Sequence, residues 1–141
     1  MSVRPRSRPP RTQQLARWGA GAGLAFAGTS HLTFARTDFQ AQVPRWVPVD
    51  ADTVVLLSGA AEIALGLGLV GLPGQRRRMA GITTAMLVGV YPGNVSQYAN
   101  RRDGLGLDTD RKRFVRLFFQ PLMCAVALHA GGLLPRRVRR R

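Results

Sequence analysis

The chain has 141 residues, a single cysteine, and 21 Lys and Arg against seven Asp and Glu, for a formal charge of +14 at pH 7. One cysteine excludes an internal disulfide or a CxxC redox pair within the chain, and no basic-aromatic motif of the kind that reads nucleic acid accompanies the charge. The basic residues, all Arg except Lys112, crowd into RPRSRPPR, RRR at 76–78, the 101–113 segment and RRVRRR, with long nearly uncharged stretches between them. That distribution is better read as membrane-flanking anchors than as a nucleic-acid phosphate-binding face.

The Pro, Arg and Ser-rich residues 1–14 are expected to form a disordered basic tail. Residues 15–34, LARWGAGAGLAFAGTSHLTF, are the first of four stretches close to the roughly 20 apolar residues that a bilayer span requires. A cleaved signal peptide, with AFA at 25–27, competes with a retained helix here; an apolar pattern that runs on to Phe34 favours the helix. Arg17 lies near the end of this span, where its long side chain is expected to reach the headgroups. Gly19, Gly23 and Ala27 recur every four residues and lead to His31, a stripe that predicts close helix packing.

The connection 36–52 holds Phe39, Pro44, Trp46 and Pro48. It is expected to pack over the polar residues below it, with Trp46 as an interfacial anchor. Residues 53–72, TVVLLSGAAEIALGLGLVGL, carry one acid, Glu62, near their middle, with Gly59 and Gly66 on its face at offsets of three and four residues. A third span at 79–99 has the stripe Gly81, Ala85, Gly89 and Gly93. It also contains Pro92, which removes one backbone hydrogen bond and frees a carbonyl, followed two residues later by Asn94. The fourth span, 114–134, contains Arg116, Gln120, Cys124 and His129, and a basic tail occupies 135–141.

These elements predict an all-α, integral membrane four-helix bundle. With both termini in the cytoplasm, thirteen basic residues fall inside and seven outside, so the positive-inside rule predicts a multi-pass plasma-membrane protein with both ends cytoplasmic. At about 1.5 Å of rise per residue, Glu62 lies roughly 13 Å below the outer end of its span, Gln120 about 9 Å, Asn94 about 8 Å, His31 about 5 Å and Arg116 about 3 Å. All five are expected in the outer half of the membrane. Side chains lean toward their own helix N-terminus, so Glu62 and His31, on opposed helices, lean toward each other, whereas Arg116 leans away and is the weaker candidate for a direct ion pair. An ionisable residue within a span is a functional hypothesis by default, although a structural role for Glu62 competes with it. His31 and His129 stand about 18 Å apart in depth and cannot share one haem. No metal-ligand spacing, phosphate-binding loop or nucleophile motif is present, which leaves a pocket for a small, largely apolar ligand with a polar head, and a quinone suits it.

Four segments, TSHLTFARTDFQAQVPRWVP, SGAAEIALGLGLV, VYPGNVSQY and RLFFQPLMCAVAL, occur in an order and spacing that resembles the DoxX-like family of small four-helix bacterial membrane proteins. The resemblance covers residues 28–130. Its motif positions here are His31, Pro44, Trp46, Pro48, Glu62, Pro92, Asn94, Arg116 and Gln120, and it departs from the family at Leu32, Tyr91 and Phe119. It implies a four-helix membrane bundle and a link to respiratory or quinone-dependent redox complexes.

Two functions are carried forward. One is a quinone-binding protein or redox-complex subunit in which His31, Glu62, Asn94, Arg116 and Gln120 hold the ligand and electrons come from a partner protein, since the chain encodes no redox centre. The other is a small transport or membrane-stress protein in which the same cluster is a proton or solute site. Under either, the chain is expected not to be a stand-alone enzyme; its partners are membrane lipids, a redox-complex protein or further copies of itself, and not nucleic acid.

Overall fold

A computed structural model describes residues 8–135. The described residues are all helical or in connections, so the protein is all-α. Helix α1 spans Arg11–Leu32, α2 Arg36–Phe39, α3 Ala51–Gly71, α4 Arg76–Ala99 and α5 Asp110–Gly131, with 3-10 turns at Gln40–Gln42 and Pro73–Gln75. The four long helices fall on the four expected spans. The tail expected at 1–14 is helical from Arg11 onward, while its first seven residues, and residues 136–141 of the C-terminal tail, lie outside the described residues.

Local chemistry sets the ends. The Asp50 carboxylate accepts from the Thr53 amide at 3.1 Å to start α3, and the Thr109 hydroxyl accepts from the Lys112 amide at 3.3 Å to start α5; each satisfies an amide that the first turn leaves unpaired. Gly132, with φ of 67°, closes α5 in the left-handed conformation that glycine adopts without penalty. Pro92 and Pro121 are accommodated inside α4 and α5.

Helix α1 packs along α3, α4 along α5, and the two pairs meet chiefly where α1 lies against α5. Glycines make the first pairing possible, but on a different face from the expected one. Nothing lies within 4 Å of where a Cβ on Gly19 or Gly23 would stand. Gly21 and Gly28 instead face Gly66 and Gly59 of α3: a Cβ on Gly21 would sit 2.8 Å from the Gly66 carbonyl, and one on Gly59 2.9 Å from the Gly28 carbonyl. The same correction applies to α4, where Gly81 and Gly89 face open space and Gly93 alone of the expected stripe's glycines is pressed, against the Gln42 carbonyl of the 3-10 turn. Small residues fill several helical frames in α1 and α4, and period alone does not select the buried one.

The interior is unusually polar. Among the described residues ten polar or charged side chains are buried, as many as the ten buried hydrophobic ones, and half of the latter are alanines. The bulky apolar side chains point outward, among them Phe26 at 69% exposure, Leu57 at 65% and Phe118 at 62%. Arg17 belongs to the inverted interior. It does not reach outward as expected but turns into the bundle, where its Nη1 donates to the carbonyls of Leu69 at 2.8 Å and Val70 at 2.7 Å. The last carbonyls of α3 lack intrahelical partners, and a buried guanidinium supplies them.

Candidate functional site

The five expected site residues come from four helices and gather toward the end of the bundle that carries the 33–50 and 100–109 connections. His31, Glu62, Asn94 and Gln120 are buried, and Arg116 is half-buried. His31 Nδ1 lies 3.3 Å from Glu62 Oε2 and 2.7 Å from the Ala27 carbonyl. A carbonyl only accepts, so Nδ1 carries a hydrogen and donates it to Ala27. That leaves Glu62 Oε2 in contact with the imidazole but, among the described residues, without a hydrogen bond of its own. The outer face of the ring is covered by Phe39 of α2, stacked at 3.5 Å between centroids and 17° between planes.

The opposite half is built on α4 and α5. Asn94 donates from Nδ2 to Gln120 Oε1 at 2.6 Å, and Gln120 Nε2 donates to the Leu87 carbonyl at 2.7 Å. Leu87 immediately precedes Val88, the residue whose carbonyl loses its helical partner because Pro92 has no amide hydrogen. Gln120 thus ties the two helices at the proline. Asn94 Oδ1 remains buried without a partner among the described residues. Arg116 rests its guanidinium over the Phe119 ring at 4.8 Å, close enough to Glu62 and His31 to interact electrostatically with both. It forms no salt bridge with Glu62, and its Nη1 is buried without a partner among the described residues.

A layer of polar ties roofs the cluster, and several of its members went unremarked in the sequence. Gln97, on the same face of α4 as Asn94 three residues earlier, accepts from Gln42 at 3.2 Å and donates to the Arg102 carbonyl at 3.3 Å. Arg102 reaches back to the Val43 carbonyl at 2.7 Å. Arg113, one turn before Arg116, is buried and binds Asp103 at 2.8 Å, Asp110 at 3.1 Å and the Leu107 carbonyl at 2.7 Å. The spacing 94, 97 on α4 and 113, 116, 120 on α5 is the signal that could have found them, since residues three and four apart share a helix face. Arg36 anchors α2 to α3 through a two-pronged contact with Asp52, which raises the Arg36 pKa further through that hydrogen bond.

Two grooves flank this end. One, of about 770 Å³, runs between Arg45 and Trp46 of the connection and Tyr91, Pro92, Val95 and Ser96 of α4, so the exposed Trp46 lines a groove beside the proline. The other, of about 640 Å³, lies at the start of α5 and has Arg116 in its wall. Among the described residues no cluster of His, Cys, Asp or Glu could hold a metal ion.

The fold and site define a small helical bundle with a polar interior and an apolar exterior, in which α3 and α5 are long and apolar enough to cross a membrane. Residues 20–131 match the family described as a domain of unknown function (DUF8561), and the chain belongs to that family. No curated protein and no solved structure matches it.

Proposed function

We propose that the protein is a multi-pass membrane protein whose four long helices cross the plasma membrane, a four-helix bundle as the DoxX-like resemblance implies, with both termini cytoplasmic by the positive-inside rule. We further propose that its buried polar cluster holds the head group of a small, largely apolar ligand. Two helices meet the requirement of length and apolar composition on their own. The other two carry polar side chains that are buried in the bundle, Gln13, Arg17 and His31 in α1 and Thr83, Asn94 and Gln97 in α4. Both still expose apolar faces, with Leu15, Trp18 and Phe26 on α1 and Ile82, Val88 and Val95 on α4. Such faces on every long helix fit lipid on all sides.

The ligand reading rests on one observation: Glu62 Oε2, Asn94 Oδ1 and Arg116 Nη1 are buried without hydrogen-bond partners among the described residues. Buried polar atoms are nearly always paired, and each exception calls for an explanation. Two acceptors and one cationic donor suit a head group that both donates and accepts, as a quinone and its quinol do between them. In this reading the chain is the ligand-holding subunit and a partner protein supplies the electrons.

The test is to purify the protein in mild detergent and analyse co-extracted lipids. Quinone retained by the wild type and lost from Glu62→Gln supports the reading. If neither retains quinone and proteoliposomes show a proton flux that needs Glu62, the cluster is a transport site. A Glu62→Gln protein that behaves as the wild type in both assays makes the cluster purely structural.

A further inference from the structure

The groove at the start of α5 is built differently from the cluster behind it. Three cations, Arg111, Lys112 and Arg116, meet three apolar side chains, Leu107, Val115 and Phe119, around about 640 Å³. Lys112 is paired with Asp108 at 2.7 Å, but among the described residues neither Arg111 nor Arg116 forms a salt bridge, so the groove keeps a net positive charge. Arg116 is pinned over Phe119 at 4.8 Å.

The apolar side does not stop at the groove. Val115, Phe119 and Leu122 follow one another at offsets of four and three residues along α5, each at least half exposed, and so form a single stripe running from the cations down the helix. A soluble anion would use the cations and leave the stripe bare. An acidic peptide would have no use for a strip lying along a bilayer-crossing helix. An amphiphile with an anionic head and a hydrocarbon tail fits both at once.

From this juxtaposition we infer that the groove is a binding site for an anionic phospholipid, its phosphate held by Arg111 and Arg116 and one acyl chain laid along Val115, Phe119 and Leu122. Arg111 and Arg116 both line the groove, and planar guanidinium groups suit a phosphate. Arg116 also interacts electrostatically with Glu62 and His31, which couples the bound lipid to the buried cluster through one guanidinium. This inference rests on the membrane reading given above.

The experiment is native mass spectrometry of the full chain in detergent, titrated with dioleoyl phosphatidylglycerol and, separately, dioleoyl phosphatidylcholine. The wild type is expected to prefer phosphatidylglycerol about tenfold or more, and the Arg111→Gln/Arg116→Gln variant to lose about 30-fold in affinity for it with phosphatidylcholine binding unchanged. If the double variant does not fold, Arg111→Gln alone, at an exposed position, is expected to lose about fivefold. Equal binding of the two lipids by the wild type overturns the site. So does an equal loss in an Arg76→Gln/Arg77→Gln/Arg78→Gln variant at the other end of the bundle, which would mark a general charge effect. Displacement of the lipid by excess inorganic phosphate would reassign the groove to a soluble anion. Alkaline carbonate washing of membranes separates the two readings: protein washed off refutes membrane embedding, whereas protein retained without a lipid preference refutes this site alone.

Discussion

Arg17 of α1 and Leu69 of α3 are joined across the helix pair by a 2.8 Å hydrogen bond from the guanidinium to the backbone carbonyl, and the same nitrogen reaches Val70 at 2.7 Å. A side chain of one helix therefore terminates another. Hydrogen bonds to charged groups contribute about 1.5–3 kcal/mol each, and an orphaned buried acceptor costs a similar amount. Arg17→Met is expected to lower stability in detergent by about 3 kcal/mol, read as a shift in the unfolding midpoint. Arg17→Lys is expected to recover part of the loss, because an ammonium can reach the carbonyls but lacks the planar fork.

The glycines make opposite predictions on the two faces of α1. A Cβ on Gly21 would stand 2.6 Å from Val70 Cγ2, and one on Gly59 2.7 Å from His31 Cβ. Gly21→Ala and Gly59→Ala are expected to lose about 1–3 kcal/mol by overpacking, and Gly59→Ala also to displace His31 from Glu62. Gly19→Ala and Gly23→Ala, in open space, are expected to be neutral or stabilising by up to about 1 kcal/mol, the helix preference for alanine. Thermal unfolding of the four variants in one detergent checks the contrast.

These two pairs show what the sequence can carry. The four long helices and the approach of His31 to Glu62 follow from apolar run length and from the direction in which side chains lean on opposed helices. The frame of glycine packing does not, because Gly19, Gly21, Gly23 and Gly28 offer competing stripes, and only the partner helix chooses among them. Arg17 was legible as a cation near a span end, but a lipid headgroup and a helix C-terminus attract it equally in sequence terms. Arg113 shares its face with Arg116 and Gln120 and was legible in that spacing, but its partner Asp103 was not, since it lies in a turn, with Gly104 at φ of 157° and Gly106 at 70°, that has no periodic signature.

The Asn94 and Gln120 pair is expected to be coupled. Gln120→Leu strips Asn94 Nδ2 of its acceptor and the Leu87 carbonyl of its donor, whereas Asn94→Leu removes one bond. In a double-mutant cycle the coupling is expected at about 0.6–1.7 kcal/mol, the range for hydrogen bonds between membrane helices. Strict additivity would show that the two amides do not bond in the membrane.

Arg113 holds the 100–109 connection down through Asp103, Asp110 and the Leu107 carbonyl. Arg113→Met is expected to leave the four helices intact and to raise the rate of tryptic cleavage after Arg101 and Arg102 about tenfold, since local opening by about 1.4 kcal/mol is enough. Unchanged cleavage would mean that the Arg102 contacts to Ala41 and Val43 suffice to hold the segment.

The pairing of α1 with α3 and of α4 with α5 also bears on biogenesis. Each pair joins long helices that are neighbours in the chain, so each can close as a hairpin while the remainder is still being synthesised. The first hairpin already contains the His31 to Glu62 contact, and the second the Asn94 to Gln120 bond. Arg116 packs over Phe119 within its own hairpin and interacts electrostatically with Glu62 and His31 of the other. Each half of the cluster therefore forms within one hairpin, and the docking of α1 against α5 joins them.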